Sequence, residues 1–443
     1  MRASTNSPNR LARAPCVVAL MFVGVGPGVT STAGGTEGGG IFRVSVTTTG
    51  AQIGRYSDWP AISVDGRFVA FFSQSSTLVP DDDNGVGDTF VRDLEAGTTE
   101  LVSLSSREEQ GNHRSGSAAP SISADGRYVA FNSGADNLVP GDTNRAGDVF
   151  VRDRVKGTTR RVSVASGGTQ GDEDSGSPAI SADGRVVAFA SSATNLVRGD
   201  TNESADIFVH NVATRDTRRV SMASNEDQGD SNSFGPAVSA DGRYVAFDSI
   251  ASNLVPSDTN HDFDVFVRDR LTGSTRRVSI SSKERQASGF SGESLAISPE
   301  GRFVAFSSNA SNLVGGDTNG DSNVFLRDRR KGTTQLISMT LDGTPMRGYS
   351  YMPTISSRGR FVAFISTAFY APGSPSGTYQ VFVRDLREGT TRELSVNISG
   401  GPASGSSHAP AISHDGQSVA FGSSASDLVA DDTNNTTDIF LHD

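Results

Sequence analysis

Cysteine is almost missing: the 443 residues contain one, Cys16. A disulfide framework and a cysteine-based zinc site are therefore excluded for the rest of the chain. Lysine is nearly as scarce, with Lys156, Lys283 and Lys331 the only ones among 39 basic residues. Acids outnumber bases and leave a formal charge of -11, which argues against a nucleic-acid-binding surface. No uninterrupted apolar run reaches the roughly 20 residues of a membrane-spanning helix. The one candidate, residues 14–29, is broken by Pro15, Gly24, Gly26, Pro27 and Gly28. Sustained helical periodicity is absent beyond that run. What remains is 35% hydrophobic residues and 49 glycines, a composition that supports a globular core.

Residues 1–33 begin with Arg2, Arg10 and Arg13 and no acid, pass through the broken apolar run, and end in the small residues Ser31, Thr32 and Ala33. This order is that of a secretory signal peptide. The expectation is a cleaved leader over 1–33, a flexible linker over 34–40 and one folded unit over 41–443. The mature chain is then expected in the periplasm or outside the cell, with no membrane span, as a monomer.

One unit recurs seven times. The pattern Ser-x-Asp-Gly-Arg-x-Val-Ala-Phe-x-Ser places its glycine at Gly66, Gly126, Gly184, Gly242, Gly301, Gly359 and Gly416, spaced by 57 to 60 residues. A fixed period of that size means a repeat architecture. In the third unit, Pro178–Ser181 reads as a first strand and Asp183-Gly184 as a tight hairpin turn. Arg185–Ser191, Asp206–His210 and Arg218–Met222 read as second, third and fourth strands. Four short antiparallel strands per repeat make a propeller blade. The seventh unit stops at its third strand, Asp438–Asp443, while Phe42–Val46 matches the fourth-strand segment Arg160–Val164. An all-β, seven-bladed β-propeller is predicted, closed by the N-terminal strand pairing with the last blade.

These motifs, together with Asp-x-Phe-Val-Arg-Asp and Gly-Thr-Thr-Arg-Arg-Val-Ser, resemble the repeats of the TolB-type, WD-repeat-like bacterial β-propellers over residues 41–443. The resemblance implies the fold more than any activity, because such propellers include periplasmic scaffolds, peptidase-attached domains and carbohydrate-active enzymes. The seven units here depart from the six blades and separate N-terminal domain of TolB itself, and the peptidase-attached members are expected to be poor models for this chain.

The repeats are longer than the 40–45 residues typical of WD-type blades. The surplus lies between strands two and three, and between strand four and the next strand one, so both loops are expected on one face, where binding residues concentrate. The first loop carries Leu-Val-x-x-Asp-x-Asn-x-x-x-Asp/Asn-x-Phe. It supplies Asp82, Asn84 and Asp88; Asp142, Asn144 and Asp148; Asp200, Asn202 and Asp206; Asp258, Asn260 and Asp264; Asp317, Asn319 and Asn323; and Asp432, Asn434 and Asp438. Blade six has Pro372-Gly373-Ser374-Pro375-Ser376-Gly377 instead. Oxygen side chains at this spacing either curl around calcium or fold back on their own backbone as Asx turns; the sequence is compatible with both.

In the second loop, Gln110, Gln170 and Gln228 and a serine before strand one (Ser57, Ser117, Ser175, Ser233, Ser350, Ser407) are expected to make hydrogen bonds between blades. Trp59, the single tryptophan, sits near the expected channel mouth, either stacking on a sugar or peptide aromatic or packing on a loop. The Arg-Asp pairs after strand three read as turn-forming, inter-blade salt bridges.

Support for catalysis is thin. The six histidines fall at different repeat positions, no Gly-x-Ser-x-Gly elbow is present, and the Asp-Gly turn lacks the insertion and aromatic of a sialidase Asp box. The reading is an exported, non-catalytic binding or scaffold module for a protein or glycan partner on the long-loop face, with calcium its one candidate cofactor. A polysaccharide lyase or glycoside hydrolase assembled from carboxylates of different blades is the alternative, and a subunit of an envelope complex is a third.

Overall fold

The computed structural model describes residues 40–116, 118–316, 320–340, 342–367 and 377–443. The leader and nearly all of the linker expected over 1–40 lie outside them. Seven four-stranded antiparallel sheets follow one another as blades of a propeller. In the third blade the strands are Ser175–Ile180, Val186–Ser191, Asp206–Asn211 and Asp216–Arg219, in that spatial order. The first strands contact their neighbours around the ring, and that of blade seven (Ser407–Ile412) contacts that of blade one (Ser57–Ile62).

The alternation in Val-Ala-Phe builds the core. Val304 and Phe306 of blade five pack on Ala246, Val265 and Val267 of blade four, while Ala305 turns the other way, toward Phe364 and Phe382 of blade six. Each apolar cluster therefore lies between two blades. A phenylalanine from strand two stacks on one from strand three in every blade, with ring centroids 5.8–6.1 Å apart.

The Asp-Gly turn is where blades meet. Asp183 accepts a hydrogen bond from the Ser181 hydroxyl and another from the Arg185 amide. Gly184 has φ +71°, and a Cβ there would lie 2.2 Å from the Tyr128 ring of the preceding blade. Glycine is needed for both the turn and the contact.

Ring closure is as expected. Ile41–Arg43 pairs antiparallel with Asp438–His442, setting Arg43 opposite Phe440. Val44 and Val46 are buried, whereas Phe42 is 40% exposed. The fourth strands also sit earlier than read: the ladder ends at Arg219 because the Ser221 hydroxyl takes the Ile207 amide and itself donates to Asp206. The same serine–amide bond recurs in all seven blades, so the polar side chain takes one bond of the pair that ends each sheet and the backbone keeps the other, as from the Val220 amide to the Ile207 carbonyl at 2.8 Å.

The second long loop emerges on the face of the first, as expected, with Gln110 accepting from the Asp83 and Asn84 amides, but its tip turns outward. It forms a narrow hairpin, Leu104 bridging to Gln110 in blade one, and runs across the outer edge of the following blade. There the Ser106 hydroxyl bonds both outward backbone groups of Thr159, at 3.2 and 2.9 Å. These straps cover the free edges of the outer strands. Arg152, Arg268 and Arg327 of strand three reach back to strap glutamates Glu108, Glu226 and Glu284 of the preceding blade, an inter-blade role as expected. Their aspartate neighbours act within the blade: Asp153 receives Arg127 through two nitrogens at 2.9 and 2.8 Å.

Candidate functional site

Two places collect polar groups beyond what the fold needs: the acidic loops and the channel mouth on the same face.

In each described acidic loop carrying it, the asparagine makes an Asx turn, Asn84 Oδ1 accepting from the Val86 amide at 3.0 Å and Asn144 Oδ1 from Ala146 at 3.2 Å. Asn202, Asn260 and Asn434 do the same. The amide of Asn84 donates to Asp88 at 2.7 Å, so nitrogen, not oxygen, faces the carboxylate. The first and last aspartates of the motif converge on an arginine of strand four. Arg161 Nη1 is 2.9 Å from Asp142 and 2.9 Å from Asp148. Arg219 bridges Asp200 and Asp206 at 3.0 Å each. Arg277 lies between Asp258 and Asp264, and Arg43 between Asp432 and Asp438. Asn323 instead receives Ser338; Asp317 and Asn319 lie outside the described residues. Blade one has Leu101 at the arginine position, and blade six has Glu393. Among the described residues no group of three or more His, Cys, Asp or Glu is placed to hold a metal.

Gln228 and Gln286 bond Asp200 and Asp258 of their own blades at 3.1 and 2.7 Å. The strand-one serines pair across the sheet, Ser57 with Ser73 at 2.9 Å and Ser175 with Ser191 at 2.8 Å. These side chains act within blades, while the backbone of both residue types bonds between blades as expected. The Ser57 amide donates to the Thr437 carbonyl and the Ser175 amide to that of Gly147, each in the preceding blade, and Asn137 and Asn195 of the following blades donate to the Gln110 and Gln170 carbonyls. Ser117 lies outside the described residues.

Burial pushes the Glu393 carboxyl up to about 7, and its Oε1 has no hydrogen-bond partner among the described residues. A carboxyl that holds its proton more tightly when folded contributes stability below its ordinary value near 4.5 and loses it as pH rises through 7. Glu393→Gln is expected to leave melting unchanged at pH 4 and to stabilise the protein at pH 8, by about 3 kcal/mol. Chemical denaturation at the two pH values measures this; equal effects at both would contradict it.

At the channel mouth every first strand with six or seven residues carries a bulge. The residue at the kink has positive φ: Trp59 62°, Ser177 51°, Gly235 55°, Glu293 58°, Met352 50° and Ala409 49°. In five of these six blades it precedes a proline, which has no amide hydrogen to lose from the ladder. Bulges of this kind re-aim side chains toward a mouth. Trp59, Phe234, Tyr349 and Met352 are between 38% and 51% exposed there.

Two clusters stand out. Between blades seven and one, Asp58 accepts from His408 Nε2 at 2.9 Å, from the Trp59 amide at 2.6 Å, and from the Tyr56 hydroxyl. Burial and that carboxylate bond push the Tyr56 phenol up to about 12. Gly422 makes the room, since a Cβ on it would lie 2.8 Å from Asp58 and 3.1 Å from His408. In blades four and five, Phe234, Phe263 and Phe290 form a chain of ring contacts, at 6.3 and 5.5 Å. They wall a cavity of ≈ 620 Å³ together with Ser177, Asp248 and Glu293. Burial, with a smaller push from Glu293, raises the Asp248 carboxyl to about 6. Ser177 and Phe234 also line a neighbouring cavity with Asn132 and Asp174, so the two make one groove along the mouth.

Trp59 was in view from the sequence as the single tryptophan. Tyr56, Asp58, His408, Asp248, Glu293 and the three phenylalanines were not. Their signal is departure from the repeat: the residue after Val-Ala-Phe is Phe72, Asn132, Ala190, Asp248, Ser307, Ile365 or Gly422, variable where the surrounding positions are constant.

No family model matches the chain, and no curated protein matches it in sequence. Similar solved structures are propellers. An oligogalacturonate lyase from Vibrio parahaemolyticus aligns at 13% identity and TM-score 0.53, over 91% of this chain and 93% of that one. The β-propeller domain of the Trilobed protease from Pyrococcus furiosus aligns at 11% identity and TM-score 0.53, over 89% and 94%. TolB from Acinetobacter baumannii also aligns, at 14% identity over 82% and 67%, with a TM-score of 0.43, too low to carry an argument. What these likenesses share is the propeller, which lyases, proteases and TolB all use.

Proposed function

We propose that this chain is an exported, monomeric binding propeller that holds a saccharide chain in the channel-mouth groove between blades two and five. The observation that carries this reading is the aromatic wall Phe234–Phe263–Phe290 facing Asp248 and Glu293, a half-exposed apolar surface beside hydrogen-bonding carboxylates. Aromatic anchors with a few polar groups to fix orientation are what a ligand groove needs. Asp174, Asp248 and Glu293 make it acidic, which favours neutral or amino sugars over polyuronates. Export rests on the leader pattern, and among the described residues no helix is long and apolar enough to cross a membrane.

Calorimetric titration of the purified chain with neutral, amino-sugar and polyuronate oligosaccharides tests this. Binding of one of the first two is expected, weakened about tenfold or more by Phe234→Ala. Failure of all three, or an affinity unchanged in that variant, would reject the saccharide assignment and leave a protein partner.

A second reading is favoured by Asp248. A carboxyl at about 6 beside a second carboxylate suits a general acid. In that case hydrolysis of the bound saccharide is expected, and is lost in Asp248→Asn while binding persists.

A further inference from the structure

We propose that blade one holds a hard divalent cation of the calcium class between the carboxylates of Asp82 and Asp88, in the place an arginine takes in four other blades.

The repeats supply their own controls. Blades two, three, four and seven combine two aspartates with an arginine. Blade five has Asn323 at the last aspartate position with Leu336, and blade six Gln380 with Glu393. Blade one alone among the described loops keeps the acid pair and sets a leucine, Leu101, where the guanidinium belongs. One positive charge is missing.

Asp82 shows where. It is 6% exposed, and neither carboxylate oxygen has a hydrogen-bond partner among the described residues. Gln52, Gln228 and Gln286 donate to the equivalent aspartates of their blades, whereas Gln110 turns its amide to the Asp81 carbonyl. Asp88 is buried, with Ser103 on one oxygen and Asn84 on the other. Burial raises the Asp82 carboxyl, and repulsion from Asp88 and Asp83 adds to it. A buried, unpartnered carboxylate is costly unless paired. The two carboxylates offer oxygen donors and a pair of negative charges. Calcium suits both, with backbone carbonyls and water completing its shell.

The test uses the full chain, stripped with chelator and titrated with calcium chloride, read by calorimetry and thermal melting. Wild type is expected to bind calcium and to melt higher in its presence. Leu101→Arg copies the arrangement of blade two; it is expected to bind one ion fewer and to lose the part of the calcium shift that blade one contributes. Should that variant fold poorly, Asp82→Asn removes the repulsion with little change of shape. It is expected to melt higher than wild type in chelator and to bind one ion fewer. Identical melting of wild type in calcium and chelator, or unchanged stoichiometry in both variants, would overturn the proposal. The site is independent of the saccharide groove, so either reading can fail alone.

Discussion

Deleting residues 41–46 is expected to abolish cooperative folding, giving aggregation or a melting transition lowered by tens of degrees. The segment removes more than a three-residue strand. Arg43 is the cation between Asp432 and Asp438, so its loss leaves two buried carboxylates without a counter-charge. Ser45 supplies the hydroxyl that caps the Ile439 amide and bonds Asp438 at 2.7 Å. Val44 is fully buried against Ile439 and Leu441, and the Val46 carbonyl accepts from Thr99 of blade one at 2.7 Å. An unpaired edge along Asp438–His442 is then exposed to other chains. Phe42→Ala is the control, since that side chain is half-exposed and its loss should cost within about 0.5 kcal/mol. Size-exclusion chromatography and calorimetry decide; a monomeric deletion variant with unaltered melting would refute closure by this strand.

Arg219→Leu is expected to destabilise the protein by about 3–5 kcal/mol, the cost of breaking a buried ion pair from one side. The guanidinium is almost fully enclosed and bonds both Asp200 and Asp206 at 3.0 Å. Without it, the two carboxylates, already raised by burial, lose the partner that offsets that burial. The sign with pH follows: their folded-state affinity for protons rises further, so the deficit is small in acid and full once both would be ionised. Adding Asp200→Asn to the variant should recover much of the loss. Arg219→Leu alone gives blade three the acid pair and leucine of blade one, so calcium should restore part of the stability lost in that single variant. A loss below about 1 kcal/mol at neutral pH would show that the bridge carries little.

Much of this was legible in the sequence. The period, the Asp-Gly turns and the match of Phe42–Val46 to Arg160–Val164 lead to seven blades and to closure, because each reflects a backbone constraint that every repeat must meet. Strand ends were less legible, since a serine hydroxyl replaces a backbone partner at Ser221 and its equivalents without changing the hydrophobic pattern. The outward turn of the straps was not legible because loop length says nothing of direction; its mark is the Ser106–Thr159 pair, whose two members belong to different repeats. The acidic loops were read one at a time, and the deciding residue lay on another strand. Comparing strand-four positions Arg43, Arg161, Arg219 and Arg277 with Leu101, Leu336 and Glu393 across repeats carries that information. The channel-mouth clusters have no periodic signal, because they are built from the positions at which the repeats disagree.

The straps bear on how the molecule comes apart. Each blade lends its strap to the next and borrows one from the blade before, so no blade is complete by itself. In an open array of repeats the terminal units have a single neighbour and melt first. A closed circle of nearest-neighbour contacts has no terminal unit, and opening any blade breaks two interfaces at once. Fraying has only the short seam at Ile41–Arg43 from which to start, and the seven blades are coupled into a single transition rather than seven partial ones.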